Sequence, residues 1–403
     1  MLKRTIEKLI QNALKISPVV LIAGARQIGK STLVSTFDRE YIVMDDITQL
    51  DSAIGDPQGY ISRIPKPVTI DEVQKIPQLL TPIKFFVDKK RVNGEFLLTG
   101  SANVLNLKKA EESLAGRLIE LTMYPFTAKE RNGDTTSNIV DILFSMPTGT
   151  LKYDKKNVDK VSQYILEGSY PLAFMMQRHK DRFMWFNSYI STYIERDIRS
   201  IGELRDIDSF IRFFNILAPR TANILNKSDI SNDSKLTNIT VDNYLSLLEK
   251  VYQIHLLRPY FENIGKSFIK SPKVYLTDSG ITSHVLNIGS VQELESSRYK
   301  GDIYETFVFA ELLKHINYSE SVMEFFYYRT QDKKEIDFII KRGDRILAIE
   351  VKSSHSVKRD DFKHIIDFQK RSSRDILGIV LYGGESIVGF GDKLFAVPLA
   401  FLL

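Results

Sequence analysis

A chain of 403 residues is too long for one compact core and predicts two or three domains. Its composition, 43% hydrophobic and 26% charged, is that of an ordinary globular protein, and a net charge of +5 permits nucleic-acid binding without arguing for it. The absence of cysteine excludes disulfides, thiol catalysis and cysteine-type zinc sites and fits a reducing compartment, while the six histidines are scattered without metal spacing.

Met1 to Ile10 spaces its apolar residues as an amphipathic helix and carries Glu7 within them, which is not the pattern of a signal peptide. No run approaches the roughly 18 apolar residues of a membrane span. The C-terminal stretch from Leu394 to Leu403 is short and broken by Pro398. A soluble cytoplasmic protein with no membrane partner is expected.

The apolar run Val19-Val20-Leu21-Ile22-Ala23 reads as a buried strand and leads into Gly24-Ala25-Arg26-Gln27-Ile28-Gly29-Lys30-Ser31, a complete P-loop. Its glycines let successive N–H groups converge on phosphate oxygens. Thr32-Leu33-Val34 continues as a helix whose N-terminal end adds to the same site. Gly24, Ala25, Arg26, Gln27, Ile28, Gly29, Lys30, Ser31 and Thr32 are therefore expected around ATP, with Lys30 on the β- and γ-phosphates and Ser31 on Mg²⁺. Pro67-Val68-Thr69-Ile70-Asp71-Glu72 adds a second strand ending in two carboxylates, where open α/β sheets place their ligands. Asp71 is assigned to Mg²⁺ and Glu72 to the attacking water. A third strand, Glu95 to Thr99, ends in Gly100-Ser101-Ala102-Asn103, whose short polar side chains suit sensing of the γ-phosphate as well as a simple turn.

Strands near 18–23, 41–45, 67–71 and 95–99 alternate with helical stretches, the pattern of an α/β parallel sheet covered by helices. The polar stretch Arg131 to Asn138 ends this unit, and recurring aromatics through Trp185, Tyr189 and Tyr193 predict a helical lid over about 140–200. Residues 1–200 are thus expected to form the nucleotide-binding domain with its lid. From about 201 to 278, Phe210, Phe213, Phe214 and Leu217 mark a helix. Ser228-Asp229-Ile230 reads as the start of a polar turn region, and Thr240 as the cap of a helix from Val241 to Lys250. Val274-Tyr275-Leu276 reads as a strand. That order suggests a winged helix-turn-helix, but the candidate recognition helix shows Asp242 and Glu249 against Lys250 alone. Packing or protein contact is favoured there over base readout.

Residues 279–403 hold a second constellation. Glu335-Ile336-Asp337-Phe338-Ile339-Ile340, a turn at Arg342-Gly343-Asp344 and Ile346 to Lys352 read as a hairpin with polar groups in apolar strands. Glu350 and Lys352 share one face of their strand, where a lysine beside a carboxylate can activate a metal-bound water. Asp337 completes a divalent-metal pair with Glu350, and Glu305 in Tyr304-Glu305-Thr306-Phe307-Val308 offers a further oxygen ligand for Mg²⁺ or Mn²⁺. Exposed strand faces with a cross-strand ion pair fit the same spacing.

These landmarks, in order, resemble prokaryotic AAA-type (AAA_14) P-loop ATPases with a C-terminal DUF4143 region. The carriers are Gly24 to Thr32, Ile70 to Lys75, Leu98 to Ser101, Ser113 to Arg117, Tyr193 to Asp197, Lys273 to Gly280 and Ile349 to Ser354. The resemblance implies an AAA-like P-loop domain, a winged-helix middle region and a restriction-endonuclease-like C-terminal α/β domain. It also makes Arg117 a candidate arginine finger or sensor, with a structural ion pair as the alternative, and Arg196 a second candidate. Ala25 and Ser31 stand where proline and threonine are common in the family, and neither change removes a phosphate or Mg²⁺ contact. The function expected is an ATPase that couples Mg-ATP turnover to a nucleic-acid-binding or nuclease-like domain for DNA or RNA, in DNA maintenance or defence. The alternative is a nucleotide-gated switch with a protein partner. An arginine finger acting between subunits would require a homo-oligomer.

Overall fold

The computed structural model describes residues 2–101, 114–146, 153–194, 206–261 and 271–403. The N-terminal half is built on β1 (Val19–Ala23), β2 (Glu40–Val43), β3 (Val68–Asp71), β4 (Phe96–Gly100) and β5 (Leu118–Thr122). They form a parallel sheet in the order β2-β3-β4-β1-β5. Each of β1, β3 and β4 is buried along its whole length, which is why they read as continuous apolar runs in place of an alternating pattern. The four expected strands are present, and Val19 pairs with both Phe96 and Leu118, so all five strands point the same way. Their C-terminal ends put the P-loop, Asp71, Glu72 and Ser101 on one edge.

The first helix runs Ile6–Ile16, later than its expected start, and buries Ile6, Ile10 and Ala13 at helical spacing. Short helices from Ile139 to Ile194 follow the sheet, among them Pro171–Met175 and His179–Ser188. Ala102, Asn103, Ser113 and Arg196 lie outside the described residues.

The middle region orders a helix (Ile207–Leu217), β6 (Asn223–Ile224), two helices (Lys227–Ser234 and Asn238–Lys250), β7 (Ile254–Leu257) and β8 (Lys273–Leu276). Its strands pair antiparallel in the order β6-β8-β7. Two expectations are corrected here. Ser228 to Ile230 is helical, because the Asn226 side chain caps the N–H groups of Ser228 and Asp229 and Ile230 is fully buried. Thr237, not Thr240, caps the next helix: its hydroxyl accepts from the N–H of Thr240 three residues on, so Thr240 lies inside the first turn.

The C-terminal sheet has the order β13-β14-β12-β11-β10-β9, from β9 (Glu324–Arg329), β10 (Glu335–Arg342), β11 (Arg345–Lys352), β12 (Asp375–Tyr382), β13 (Val388–Gly391) and β14 (Leu394–Pro398). β10 and β11 form the expected hairpin, Arg342 facing Arg345 across Gly343, whose φ of 60° suits a tight turn. β11, β12 and β14 are parallel, with the helix Lys363–Arg371 between β11 and β12. The helix Lys300–Tyr318 is buried along most of its length against the hairpin.

The cores cross between these parts. One joins the P-loop side of the first sheet to Tyr170, Phe186, Phe213 and Leu276, and another joins Phe144 and Ile165 to Tyr275, Phe309 and the C-terminal sheet. Among the described residues no helix is long and apolar enough to cross a membrane.

Candidate functional site

The turn after β1 needs its glycines for definite reasons. Gly24 has φ +151°, and a Cβ there would come within 2.2 Å of the Met123 carbonyl oxygen, so only glycine lets the loop pass so close to the end of β5. Gly29 (φ 93°) and Gln27 (φ 61°) are also left-handed, which turns the backbone about the loop. Ile28 and Ala25 point into the core, and the carbonyl of Ile28 accepts from Arg4 at 2.9 Å. These two residues thus offer a phosphate only their backbone. The Lys30 ammonium is buried and donates to the carbonyls of Gly24 (2.9 Å) and Ala25 (2.7 Å), which arches the loop over it.

Arg26, Gln27, Gly29, Lys30, Ser31 and Thr32 line a cavity of about 350 Å³ together with Glu72, and Pro171 and Leu172 line it as well. Glu72 sits just past β3 in a left-handed conformation (φ 59°), a strained position for a non-glycine residue. Its carboxylate accepts from the Gln74 side-chain amide, which also donates to Ser101 Oγ at 3.2 Å. Ser101 is fully buried and is not among the residues lining the cavity. Asp71 is buried and accepts from the hydroxyls of Thr99 and of Tyr41, the latter at 2.7 Å. Ser31 lies near enough to act on the same phenol, so Tyr41 neighbours both expected Mg²⁺ ligands. Burial and then Asp71 raise that phenol above its ordinary value. Tyr41, Pro171 and Leu172 were not legible as site residues, since each lies in an unremarkable stretch and meets the P-loop only in three dimensions, and Gln74 stood within the Ile70 to Lys75 motif without a role assigned to it.

Arg117, expected as an arginine finger or sensor or as a structural ion pair, lies at the other edge of the sheet from the P-loop. It directly precedes β5, its carbonyl accepts from the N–H of Val19 at 3.2 Å, and it therefore sits at the N-terminal ends of the strands. A five-residue strand puts about 17 Å between that edge and the P-loop. The guanidinium is spent on Asp88 at 2.5 Å and on the Ala115 carbonyl at 2.9 Å.

The structure does bring the C-terminal candidates together. The register that pairs Phe338 with Ile349 sets Asp337 opposite Glu350. Lys352 Nζ donates to Glu350 Oε1 at 2.9 Å, and Asp337 Oδ2 accepts from the N–H of Val351 at 2.8 Å. Glu305 comes in from the helix Lys300–Tyr318. Burial, then the Asp337 charge, pushes the Glu305 and Glu350 carboxyls up to about 8, and burial raises Asp337 as well. Asp337 and Glu350, the expected metal pair, and Glu305, the expected further ligand, thus meet in one place. Among the described residues no group of three or more histidine, aspartate or glutamate side chains is arranged to hold a metal ion. The reason is visible: Glu305 Oε1 is taken by the Lys273 ammonium at 2.9 Å and by the Tyr275 hydroxyl at 2.6 Å. Lys273 and Tyr275 stood in the Lys273 to Gly280 motif, and Glu335 shares a strand face with Asp337; that alternation was the signal for all three.

Family comparisons match an AAA domain (AAA_14) at residues 17–132, a domain of unknown function DUF8612 at 158–292 and a domain of unknown function DUF4143 at 300–402. An uncharacterized protein of Mycobacterium tuberculosis is 29% identical over 400 residues, covering 96% of this chain and 82% of that one. One of Haemophilus influenzae is 26% identical over 386 residues, covering 88% of each. Among solved structures, a DNA replication initiation factor covers 61% of this chain and 86% of its own at 13% identity, with a TM-score of 0.23, too low to bear on the fold. The chain thus combines an AAA domain of the AAA_14 family with a C-terminal DUF4143 domain.

Proposed function

We propose that this protein binds and hydrolyses ATP with Mg²⁺ and uses that turnover to act on its C-terminal domain, a nucleic-acid-binding or nuclease-like module, in a reducing, cytoplasmic setting. The observation that carries the nucleotide part is the single cavity shared by the P-loop and Glu72. The residues present fit Mg-ATP: left-handed Gly24, Gln27 and Gly29 curl the loop, Lys30 is set beneath it, and Ser31 and Asp71 both neighbour Tyr41. Lys30 would hold the β- and γ-phosphates, and Ser31 and Asp71 the metal, which supplies charge neutralisation when bound. Glu72 would orient the attacking water and take its proton. Lys30→Ala is expected to abolish tight ATP binding or turnover. Glu72→Gln should bind ATP and fail to hydrolyse it, and parental hydrolysis by that variant would move the water-polarising role elsewhere. A role for Arg117 on the nucleotide requires the pocket of a second copy, since its own is out of reach.

The helix, strand, two helices and two strands of the middle region, with sheet order β6-β8-β7, support a winged-helix reading. The Asp…Glu-x-Lys hairpin beside a helix carrying Glu305 supports an endonuclease-like one. A second reading, a nucleotide-gated protein-interaction switch, is favoured by the middle region's acidic helix: Asp242 is paired with Lys227 at 2.5 Å, and Glu249 accepts from the N–H of Leu256 at 3.3 Å. Salt-dependent binding to DNA or RNA separates the two, because neutralised phosphates release counterions. Cleavage of single- and double-stranded DNA and RNA by the parent, lost in Lys352→Ala, would mark a nuclease; absence of salt-dependent binding would favour the switch.

A further inference from the structure

The nucleotide pocket makes no use of an almost fully enclosed cation at the C-terminal carboxylates. The Lys273 side chain is 2% exposed, and its ammonium lies 2.9 Å from Glu305 Oε1, 2.6 Å from Glu335 Oε1 and 3.7 Å from Asp337 Oδ1. The carboxylates belong to the DUF4143 domain, whereas the lysine stands on β8 within the segment matched as DUF8612. We propose that this ammonium is the resident cation of the C-terminal carboxylate cluster, lent by the middle segment, and that it keeps a divalent metal ion out.

Electrostatics and geometry both argue for this. A dication entering between Glu305 and Asp337 would meet a like charge within a few ångströms, in surroundings that screen it poorly. Oxygens that a metal would need are already engaged: Glu305 Oε1 by Lys273 and Tyr275, Glu335 by Lys273 and by Arg329 at 2.7 Å, Asp337 Oδ2 by the N–H of Val351, and Glu350 Oε1 by Lys352. Nor can the ammonium easily withdraw. Tyr275, two residues on and on the same strand face, stacks on Phe309 with ring centroids 4.1 Å apart and an interplanar angle of 9°, and its hydroxyl is bound to Glu305. Pulling Lys273 away would break that stack and strip β8 from the core.

Charge balance points the same way. Among the described residues the carboxyls of Glu305, Glu335, Asp337 and Glu350 face the cations Lys273, Arg329 and Lys352, which leaves at most a single negative charge even with all four carboxyls ionised. Glu350 Oε2, buried and without a hydrogen-bond partner among the described residues, is where it is felt. One residual charge suits a proton or one donor group of a ligand better than a dication.

The inference is independent of ATP binding, so its test omits nucleotide. Mn²⁺ is titrated into the full chain and followed by electron paramagnetic resonance, comparing the parent with Asp337→Asn, Lys273→Gln and the double variant. The expected result is no Mn²⁺ binding in the parent that depends on Asp337, and at least tenfold tighter binding in Lys273→Gln that Asp337→Asn removes. Parental Mn²⁺ binding lost in Asp337→Asn would overturn the proposal. A folded Lys273→Gln chain that gains no Mn²⁺ would overturn Lys273 as the excluding group. Should Lys273→Gln fail to fold, the parent against Asp337→Asn decides alone: a shared absence of binding supports the proposal, and a difference refutes it.

Discussion

Two single atoms decide much of the nucleotide pocket. A methyl group at Gly24 would lie within 2.2 Å of the Met123 carbonyl oxygen in a left-handed backbone, so Gly24→Ala must move the P-loop or the end of β5. Strain of that kind costs on the order of 1–3 kcal/mol. The expected result is a lower Tm together with weaker nucleotide binding, and a variant unchanged in both would contradict the loop geometry. The Tyr41 hydroxyl donates to Asp71 and neighbours Ser31 without being an expected metal ligand itself. Removing it in Tyr41→Phe leaves Asp71 less well oriented. Such supporting contacts are worth about 10- to 100-fold in metal affinity. Titrating Mg²⁺ against ATP turnover should therefore show a raised half-saturation with ATP binding retained; an unchanged Mg²⁺ requirement would reduce Tyr41 to packing.

At the scale of elements, the helix Lys300–Tyr318 holds the halves together. Lys314, 1% exposed in its side chain, donates to the Phe126 carbonyl at 2.8 Å, to Ser169 Oγ at 2.9 Å and to Glu311 at 2.7 Å, while Glu311 accepts from the N–H of Ala128 at 2.9 Å. Near its end the Tyr318 hydroxyl accepts from the N–H of Tyr124, whose carbonyl in turn binds Arg4 beside the P-loop. Glu305 and Tyr318 are about 20 Å apart along this helix, so one rigid element touches both the carboxylate cluster and the base of the P-loop. Removing one partner of a buried ion pair costs about 3–5 kcal/mol. Lys314→Met should lower stability in urea or thermal melts by that order, and a change within ~0.5 kcal/mol would show that the helix is anchored elsewhere. The strands of the first sheet were legible in the sequence because full burial leaves unbroken apolar runs, and the hairpin because two short apolar runs flank the polar turn Arg342-Gly343-Asp344. The helix Lys227–Ser234 was not, since eight mostly polar residues with Ile230 as their buried apolar member carry no helical stripe. Its existence rests on the Asn226 cap and tertiary packing.

For the whole molecule, pH acts through two opposed sets of groups. Glu305 and Glu350 are raised from 4.5 to about 8, so the folded chain keeps protons that the unfolded chain has released. Their contribution is complete below about 4.5 and is lost as pH rises through about 8. Burial pushes His255 and His284 down to about 4 and His315 to about 3, so these histidines favour the folded state above about 6.5 and cost stability on acidification. Glu350→Gln removes one raised acid, and its Tm should fall less than that of the parent between about pH 5 and pH 9; parallel curves would contradict the burial of this carboxyl. At this scale the sequence showed the P-loop, Asp71, Glu72 and the Asp337, Glu350 and Lys352 set, because local spacing carries them. It did not show that Arg117 lies on the far edge of the sheet or that Lys273 enters the acidic cluster, since strand direction and inter-element contact settle those. The most direct measurement is steady-state ATP hydrolysis with Mg²⁺ by the parent, Lys30→Ala and Glu72→Gln. Turnover by the parent that both substitutions abolish, with ATP still bound by Glu72→Gln, is the expected result. Undiminished hydrolysis by Lys30→Ala would contradict the nucleotide pocket as the site of chemistry.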